Sequence, residues 1–571
     1  MHCAKARAFK GPLINMTHIA DTEPQNSESQ NSGQKNRKLH KAIMVVICVL
    51  SALYLGFLAG TANHAIIEAH SFRQTQTAIS VFYMLKEGLT LNYITPVFGV
   101  PWTIPFEAPI YQFSVALFSY VSPLGLDANG RIVSALYWVG SLILGYKILA
   151  HIFVENKAVP LVFVVLALAS PLYIFWSRTF MIETTALFFG LGFLYAAIRF
   201  ADTGGWKPAL LGIISGTLCV LAKATTWPVF VVAGGLYFLL KNTSKIIAIR
   251  PNTLTEPQNM TFLKRGAILF IGVLIALFLG LSWTEHTDAL KKQSLLGHFL
   301  TSQFLSQWNF GDMSTRFTSN LWIDTIGERT LPNTLGTLWW IALIALLGLL
   351  IIRKHVQLWG KAMAAALICI GLFLLPMLLF TNLHIQHTYY QTANGVFIIA
   401  AIAIIIGSLL NATRWIQGGA ILTLAIVVSG QFHSFADGYN KLTTNPEEYS
   451  GQAPHQLALL TKERVADNGT ILVLGLDWSS HFFYYAERKG VGLPLWLVDD
   501  IGKQITNDPT TIFGDAPIAG FVNCENAAHS AAYPNEQAMM DAFIKTTMAE
   551  KPAAWERIAV GHCTLDYRID L

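Results

Sequence analysis

Residues 42–78 decide the fold, because AIMVVICVLSALYLGFLAGTA (42–62) runs directly into NHAIIEAHSFRQTQTA (63–78). The first part carries no charge and is long enough to cross a bilayer as a helix. The second part brings Glu, Arg, His and Gln, and PWTIPFEAPIYQ at 101–112 adds a further acid. Ionisable groups are costly at a membrane boundary unless they are paired or functional. The segment 63–112 therefore indicates a reaction site rather than a linker.

The composition places the chain among polytopic membrane proteins. Of its 571 residues, 53% are hydrophobic and 13% charged, and the mean hydropathy is +0.46, which excludes a typical soluble enzyme. The net charge of +5 does not indicate a nucleic-acid partner, because the basic residues lie mainly in short loops between apolar runs, where they report topology. Residues 1–41 are polar and lack a short apolar core before a cleavage site, so they predict a disordered cytoplasmic tail and no removable signal peptide.

Eleven apolar runs predict membrane-spanning helices between residues 42 and 431. Some have the full length of roughly 17–25 residues that a crossing needs, and others are shorter or interrupted by Gly and Pro. The long runs lie at about 42–62, 131–153, 158–177, 181–200, 335–352, 362–381 and 393–411. The shorter runs lie near 208–223, 226–240, 266–283 and 416–431.

A further apolar stretch, 108–125, determines the predicted topology. Its Tyr, Gln and Ser residues make it amphipathic, as in a helix that lies along the membrane surface. If it crossed the membrane, the basic loop 241–265 would lie on the side opposite the basic N-terminus. If it lies on the surface, every basic loop shares the cytoplasmic side with the N-terminus. We therefore predict eleven spans, a cytoplasmic N-terminus, and polar loops and a C-terminus that face outward.

Residues 432–571 differ in composition and predict a small extracytoplasmic α/β domain after an all-α membrane domain at 42–431. Strand-like ILVLGL (471–476) and PIAGFV (517–522) lie on either side of a helix-like HFFYYAERKG. Cys524 and Cys563 belong to this domain, and an oxidising compartment would allow a disulfide between them. The chain has no zinc-like CxxC or Cys/His spacing, no Walker loop and no GxSxG elbow.

The order of several short motifs resembles one group of membrane enzymes. The motifs are HSFRQTQTA (70–78), PFEAPIYQ (105–112), Gly130 with Arg131, SRTFMIE (177–183), HTYYQ (387–391) and YYAERKG (484–490). Together they resemble the GT-C membrane glycosyltransferases that use polyprenol-phosphate sugars, which are related to protein O-mannosyltransferases and the lipid A aminoarabinose transferase. The resemblance implies transfer of a sugar from a polyprenyl phosphate to an acceptor outside the cytoplasm, with inversion at the anomeric carbon, in a bacterial inner membrane.

The implied reaction selects three candidate catalytic carboxylates, Glu68, Glu107 and Glu183. A glycosyl phosphate already has a good leaving group, so the enzyme must supply a carboxylate that deprotonates the acceptor hydroxyl and cations that hold the phosphate. Which of the three is the base stays open, because Gln76 stands where many relatives have an Asp. Glu68 could instead be a simple interfacial charge.

Candidate binding residues surround these acids in the predicted outer loops. Arg73 and Arg178 suit a phosphate, because a guanidinium offers two fixed donors and remains charged near lipid. The other candidates for binding donor phosphate or substrate are His70, His387, Tyr389 and Tyr390. Structural roles compete with these: Arg178 could mark a helix end or pair with Glu183, and tyrosines are common in aromatic belts.

Metal dependence and the partners are less defined by the sequence. No ligand spacing marks a metal centre, although a divalent ion held by Glu107 or Glu183 stays open. Expected partners are a polyprenyl-phosphate sugar, membrane lipid and a glycan, lipid or protein acceptor. A lipid or solute transporter is a weaker alternative, because it would concentrate polar residues near the membrane midplane. The nearest enzymatic alternative is an oligosaccharide ligase or polymerase that uses a pyrophosphate-linked glycan.

Overall fold

The computed structural model describes residues 25–248, 256–352, 359–444, 452–524 and 527–571. Helix α1 (Gln25–Thr61) is continuous from its first turn into the first predicted span. The predicted disordered tail, residues 1–41, is therefore wrong for residues 25–41, which are helical. Residues 1–24 lie outside the described residues.

A helical bundle forms most of the molecule. Its further helices are α2 (Ser71–Glu87), α3 (Ile110–Ser119), α4 (Leu126–Ile152), α5 (Ala158–Ala169), α6 (Pro171–Trp176), α7 (Glu183–Thr203), α8 (Trp206–Ala222), α9 (Trp227–Lys241), α10 (Thr243–Ala248), α11 (Pro257–Lys291), α12 (Ser306–Phe310), α13 (Leu331–Leu335), α14 (Trp339–Ile352), α15 (Trp359–Leu379), α16 (Thr381–Gln386), α17 (Gly395–Leu409), α18 (Arg414–Asp437) and α19 (Tyr439–Thr444). A π-helix, Asn320–Thr330, precedes α13.

The long apolar helices make the protein an integral membrane protein. Within the described ranges, seven helices are long and apolar enough to cross a membrane, and a helix pair bent by 81° can provide an eighth crossing. Each of the eleven predicted runs overlaps an apolar helix of the bundle. The shorter ones, α5, α8 and α17, fall below the length of a regular span, so the total of eleven stays a prediction.

Helix α3 occupies the ambiguous stretch 108–125. It has 10 residues and is therefore about 15 Å long, which is half of the roughly 30 Å that a crossing needs. It packs against α2, α4 and α8. A helix of this length leaves the segments before and after it at the same end of the bundle.

Close helix contacts rely on small residues, as is common where helices pack within a membrane. The contact of α5 with α17 is an example. A Cβ atom at Gly407 would lie 2.6 Å from the Cα atom of Val159, so only glycine fits there. The Asn156 side chain also donates a hydrogen bond to the Gly407 carbonyl at 3.1 Å.

The C-terminal part contains a five-stranded mixed sheet with the order β2-β1-β3-β5-β4. Its elements are α20 (Gln452–Arg464), β1 (Thr470–Leu474), α21 (His481–Ala486), β2 (Lys489–Gly492), α22 (Val498–Asn507), α23 (Thr510–Phe513), β3 (Ile518–Cys524), α24 (Ala527–Ala532), α25 (Pro534–Ala549), β4 (Trp555–Val560) and β5 (Cys563–Arg568). Strands β2, β1 and β3 are parallel, whereas β5 is antiparallel to both β3 and β4. The predicted strands at 471–476 and 517–522 correspond to β1 and β3.

Two details of the predicted domain are settled by these elements. The expected boundary at residue 432 is wrong, because α18 continues to Asp437 and α19 to Thr444. Among the described residues the domain begins with α20. A disulfide joins Cys524 to Cys563, which are paired neighbours on β3 and β5.

The loop after α1 is built into this domain. Gly490 and Gly492 of β2 donate backbone hydrogen bonds to Pro96 and Val97 at 3.1 and 2.9 Å, so residues 96–98 line the edge of the sheet. Helix α2 packs on α21, and both belong to one buried apolar cluster. The domain therefore fixes the polar segment 63–112 in place.

Candidate active site

The predicted polar loops meet at one end of the bundle. The backbone N–H of Ala108 donates to the carbonyl of Leu221 at 3.0 Å, and Trp283 of α11 donates its indole N–H to the carbonyl of Phe106 at 3.0 Å. The 101–112 segment is thus tied to the ends of α8 and α11. Charged side chains from these segments form two separate groups.

The first group is a buried ion triad that consists of Glu68, Arg131 and Arg178. Glu68 Oε1 lies 3.0 Å from Arg131, and Oε2 lies 2.5 Å from Arg178. The two arginine side chains are fully buried and that of Glu68 is 3% exposed. Burial raises the pKa of the Glu68 carboxyl, but the charges of Arg178 and Arg131 lower it by more, so this pKa lies below its ordinary value. Both carboxylate oxygens of Glu68 are thereby engaged.

The triad also ties α4 to the loop that follows α1. Arg131 donates to the backbone carbonyl of Ala62 at 3.0 Å and also to that of His64. Arg178 places its guanidinium over the rings of Phe57 and Phe175 at 5.1 and 5.2 Å. These contacts give the triad the character of a structural junction. Arg178, predicted to bind phosphate, pairs with Glu68 and not with Glu183.

The second group, called here the carboxylate–cation cluster, consists of Arg73, Glu107, Glu183 and Lys223. Its first pair is Arg73 with Glu107, at 2.5 Å. Glu107 is 25% exposed and Arg73 14%, so this pair can be reached from outside. Arg73 also donates to the Gln76 side chain. Glu107 therefore supplies the carboxylate partner of Arg73, and Gln76 adds a neutral amide acceptor.

The second pair of the cluster is Lys223 with Glu183, at 2.5 Å. Both side chains are almost fully buried, and Glu183 Oε2 has no hydrogen-bond partner among the described residues. Lys223 Nζ lies 3.9 Å from the ring centre of Tyr390 and 4.9 Å from that of Tyr389. Cation–π contacts of this kind are most favourable where water is excluded. The pair joins the start of α7 to the end of α8.

A further cation, Lys291, lies beside the cluster. The aromatic ring of Phe106 has Arg73 at 5.9 Å and Lys291 at 5.1 Å from its centre. Lys291 is 3.9 Å from Asp288. Arg73, Lys223 and Lys291 all interact electrostatically with Glu107, an arrangement that suits an anionic ligand.

An aromatic group separates the triad from the carboxylate–cation cluster. The His70 ring lies 5.3 Å from that of His387 and 5.1 Å from that of Tyr389. Burial, together with the charge of Arg329, lowers the pKa of His70 to about 4. Burial and the neighbouring His70 and cations, Lys223 first among them, lower the pKa of His387 to about 3. Both imidazoles are therefore neutral near pH 7 and act as hydrogen-bonding groups rather than as cations.

The structure thus brings most of the predicted site residues to one end of the bundle. Their ion-pair partners, however, include basic residues that the sequence analysis did not select. Arg131, Lys223 and Lys291 were not among the predicted site residues. Each is a basic residue close to the end of an apolar run, on the side where the polar loops were predicted to lie. That shared position was the signal available in the sequence. Within the described ranges, no group of three His, Cys, Asp or Glu residues is arranged to hold a metal ion.

Comparison with known proteins identifies the fold. No protein-family model matches the chain, and no curated protein sequence matches it. The structure of ArnT from Cupriavidus metallidurans in the apo state matches 92% of this chain and 98% of its own, with 11% identity and a TM-score of 0.50. The chain has the GT-C fold.

A second solved structure also matches the chain. It is the archaeal oligosaccharyltransferase AglB from Archaeoglobus fulgidus in complex with an inhibitory peptide and a dolichol-phosphate. Identity is 9%, the match covers 84% of this chain and 69% of the other, and the TM-score is 0.49. The GT-C resemblance seen in the sequence motifs is confirmed at the level of the fold by the ArnT match, which extends over nearly the whole of both chains.

Proposed function

We propose that the protein is a membrane glycosyltransferase that moves a sugar from a polyprenyl-phosphate donor to an acceptor outside the cytoplasm. The carboxylate–cation cluster is the observation that carries this proposal. It combines carboxylates with Arg73 and Lys223 at one end of an apolar helical bundle. A lipid-linked sugar phosphate needs this combination, because its tail lies in the membrane while its phosphate and sugar lie at the surface.

Glu107 is the proposed general base. It is the most exposed of the three candidate carboxylates, at 25%, whereas Glu68 and Glu183 are both 3% exposed. A base must come within hydrogen-bond reach of the proton that it removes. The two arginines that occupy both oxygens of Glu68 argue against this role for it. Glu183 keeps the buried ammonium of Lys223 in place.

The proposed reaction is a single displacement. The acceptor hydroxyl oxygen attacks the anomeric carbon while Glu107 takes its proton. The bond between the anomeric carbon and the phosphate oxygen breaks, and its electron pair leaves with the polyprenyl phosphate. One displacement inverts the configuration at the anomeric carbon. Arg73 and Lys223, with Lys291 nearby, stabilise the negative charge that develops on the departing phosphate.

Tyr389 and Tyr390 are proposed to position Lys223. Their rings face its ammonium group, which limits where that charge can move. They would also exclude water from the leaving phosphate, and electrostatic interactions are stronger in such an environment. No metal ion is needed for the step described.

The proposed orientation puts the cluster on the outer face of a bacterial inner membrane. Basic residues such as Lys157, Lys241 and Arg265 lie in or next to the loops at the opposite end of the bundle. Short basic loops are typical of the cytoplasmic side. The C-terminal domain would then be periplasmic, where the disulfide is compatible with the compartment.

The test is a donor-cleavage assay with the full chain in lipid nanodiscs. A polyprenyl-phosphate sugar is supplied with an envelope extract as acceptor, and release of polyprenyl phosphate is measured. Wild-type protein should release it, and Glu107→Gln, which keeps size and hydrogen bonding, should be nearly inactive. A polyprenyl-pyrophosphate oligosaccharide is the second substrate. Turnover of that substrate alone would favour the ligase or polymerase alternative, and turnover of neither would refute the proposal.

A further inference from the structure

A second cavity lies on the other side of His70 from the carboxylate–cation cluster. It has a volume of about 690 Å³, within the range of roughly 300–1,000 Å³ that is typical of small-molecule sites. Glu68, His70, Phe72 and Thr388 line it, together with residues 437–439, 441 and 442 around the start of α19. The mechanism above makes no use of this cavity.

The cations at the cavity are already engaged by the protein. One terminal N–H group of Arg329 donates a hydrogen bond to the carbonyl of Ile385 at 2.7 Å, and the other terminal nitrogen donates one to the carbonyl of His384. Lys441 is 3.9 Å from Asp437. Neither side chain forms an open clamp for a phosphate, which is best held by two free parallel donors. Asp437 pairs in addition with His433 at 3.1 Å, so it too is engaged by the protein.

The groups that remain available for a ligand are neutral or are hydrogen-bond acceptors. Asn333, whose side chain ends in an amide, lines the cavity. The Thr388 hydroxyl makes only a long contact, 3.5 Å, with His70 Nε2. Phe72 is 38% exposed and offers an aromatic ring to the cavity. Amide and hydroxyl groups beside one aromatic ring match a sugar, which has hydroxyls at its rim and C–H groups on its faces.

We infer that this cavity binds a neutral sugar ring of the acceptor, so that the acceptor is a glycan. Phe72 packs on the ring, while Asn333 and Thr388 bond its hydroxyls. The role as an acceptor site rests on the proposed glycosyl transfer, whereas sugar binding itself does not. The two sites share a wall: Thr388 lines the cavity, and the next residue, Tyr389, contacts Lys223 of the cluster.

The test measures glycan capture separately from donor cleavage. Full-length protein in fluorescent nanodiscs is applied to an array of neutral, phosphorylated and uronic-acid-containing oligosaccharides, with empty nanodiscs as background. Neutral glycans should be captured by the wild type. Phe72→Ala and Asn333→Ala should each weaken capture about tenfold, because they remove ring stacking and a hydrogen bond. Phe304→Ala is the matched control, because Phe304 is also an exposed phenylalanine but does not line the cavity.

The outcomes separate this inference from the proposed function. Capture of anionic glycans alone, capture that neither variant weakens, or no capture at all would overturn the sugar site. Equal losses in Phe304→Ala would show a general defect and overturn it as well. Neutral capture by a protein that cleaves no donor would support the sugar site and refute the transferase reaction. Unchanged melting temperatures in the variants establish that the losses are local.

Discussion

The two charged groups at this end of the bundle contain similar residues in different surroundings. In the ion triad, both carboxylate oxygens of Glu68 bind fully buried arginines, and its side chain is 3% exposed. In the carboxylate–cation cluster, Glu107 binds one arginine and stays 25% exposed. A buried carboxylate with both oxygens engaged holds helices together, whereas an accessible one beside cations can exchange a proton with a ligand. The presence of Glu and Arg near a membrane boundary therefore does not by itself identify a catalytic site; the partners and the exposure do.

The largest expected effect is on activity in Glu107→Gln. If Glu107 is the base, this change should lower the transfer rate by about 10²- to 10⁴-fold, the usual contribution of general acid–base catalysis. The melting temperature should change little, because the amide still accepts a hydrogen bond from Arg73. Initial rates with a polyprenyl-phosphate sugar measure the first quantity and scanning fluorimetry the second. Full activity in Glu107→Gln would show that Glu107 is not the base, and the contrast between a structural triad and a catalytic cluster would then fail.

The corresponding change in the triad should act on stability. Glu68→Gln leaves Arg131 and Arg178 buried without a counter-charge, and breaking a buried ion pair typically costs about 3–5 kcal/mol. We expect poor extraction in folded form and a large drop in melting temperature. The double variant Glu68→Gln, Arg178→Met, which removes one charge of each sign, should recover part of the loss. A stable but inactive Glu68→Gln protein would instead assign Glu68 to catalysis.

The sequence predicted the bundle, the convergence of polar loops and two of the strands, because hydrophobic length and alternation are local properties. It did not predict the pairings. Glu68 and Arg178 are 110 residues apart, and Glu183 and Lys223 are 40 residues apart. Their contacts depend on which helix ends are neighbours, and a single sequence does not contain that information. The alternative in which Arg178 pairs with Glu183 could therefore not be tested from the sequence, and in the structure Arg178 pairs with Glu68.

The domain boundary was misplaced for a different physical reason. Hydrophobicity falls after residue 431, but α18 continues as a helix to Asp437. Helices extend beyond the apolar part of a membrane, so a change in composition does not mark the end of the backbone structure. The predicted disordered tail failed in the same way, since polar residues from Gln25 onward continue α1.

A smaller effect should follow from loosening the contact between the domain and the triad. Asp127, one turn before Arg131 on α4, accepts a hydrogen bond from Tyr485 at 2.9 Å and a second one from Tyr484. Tyr485→Phe should cost about 1.5–3 kcal/mol, because the Asp127 carboxyl loses one donor and the Ile66 backbone N–H loses its acceptor. Tyr120→Phe, at an exposed position, serves as the control. Hydrogen exchange should increase in α21 and in residues 96–98 of the first variant only, and unchanged protection there would show that the domain is held by apolar packing alone.

The smallest expected effect concerns pH and the aromatic group between the two charged groups. The pKa of His70 is lowered to about 4 by burial and by Arg329, whereas an unfolded histidine titrates near 6.5. The unfolded state therefore binds a proton first as the pH falls. The stability associated with neutral His70 is complete above about pH 6.5 and is lost between pH 6.5 and 4, by about 1 kcal/mol at pH 6. His70→Gln keeps a polar side chain without titrating, so its melting temperature should fall less than that of the wild type between pH 7.5 and 6. Parallel curves for both proteins would mean that the acid sensitivity arises at other histidines, with His387, whose pKa is lowered to about 3, as the next variant to compare.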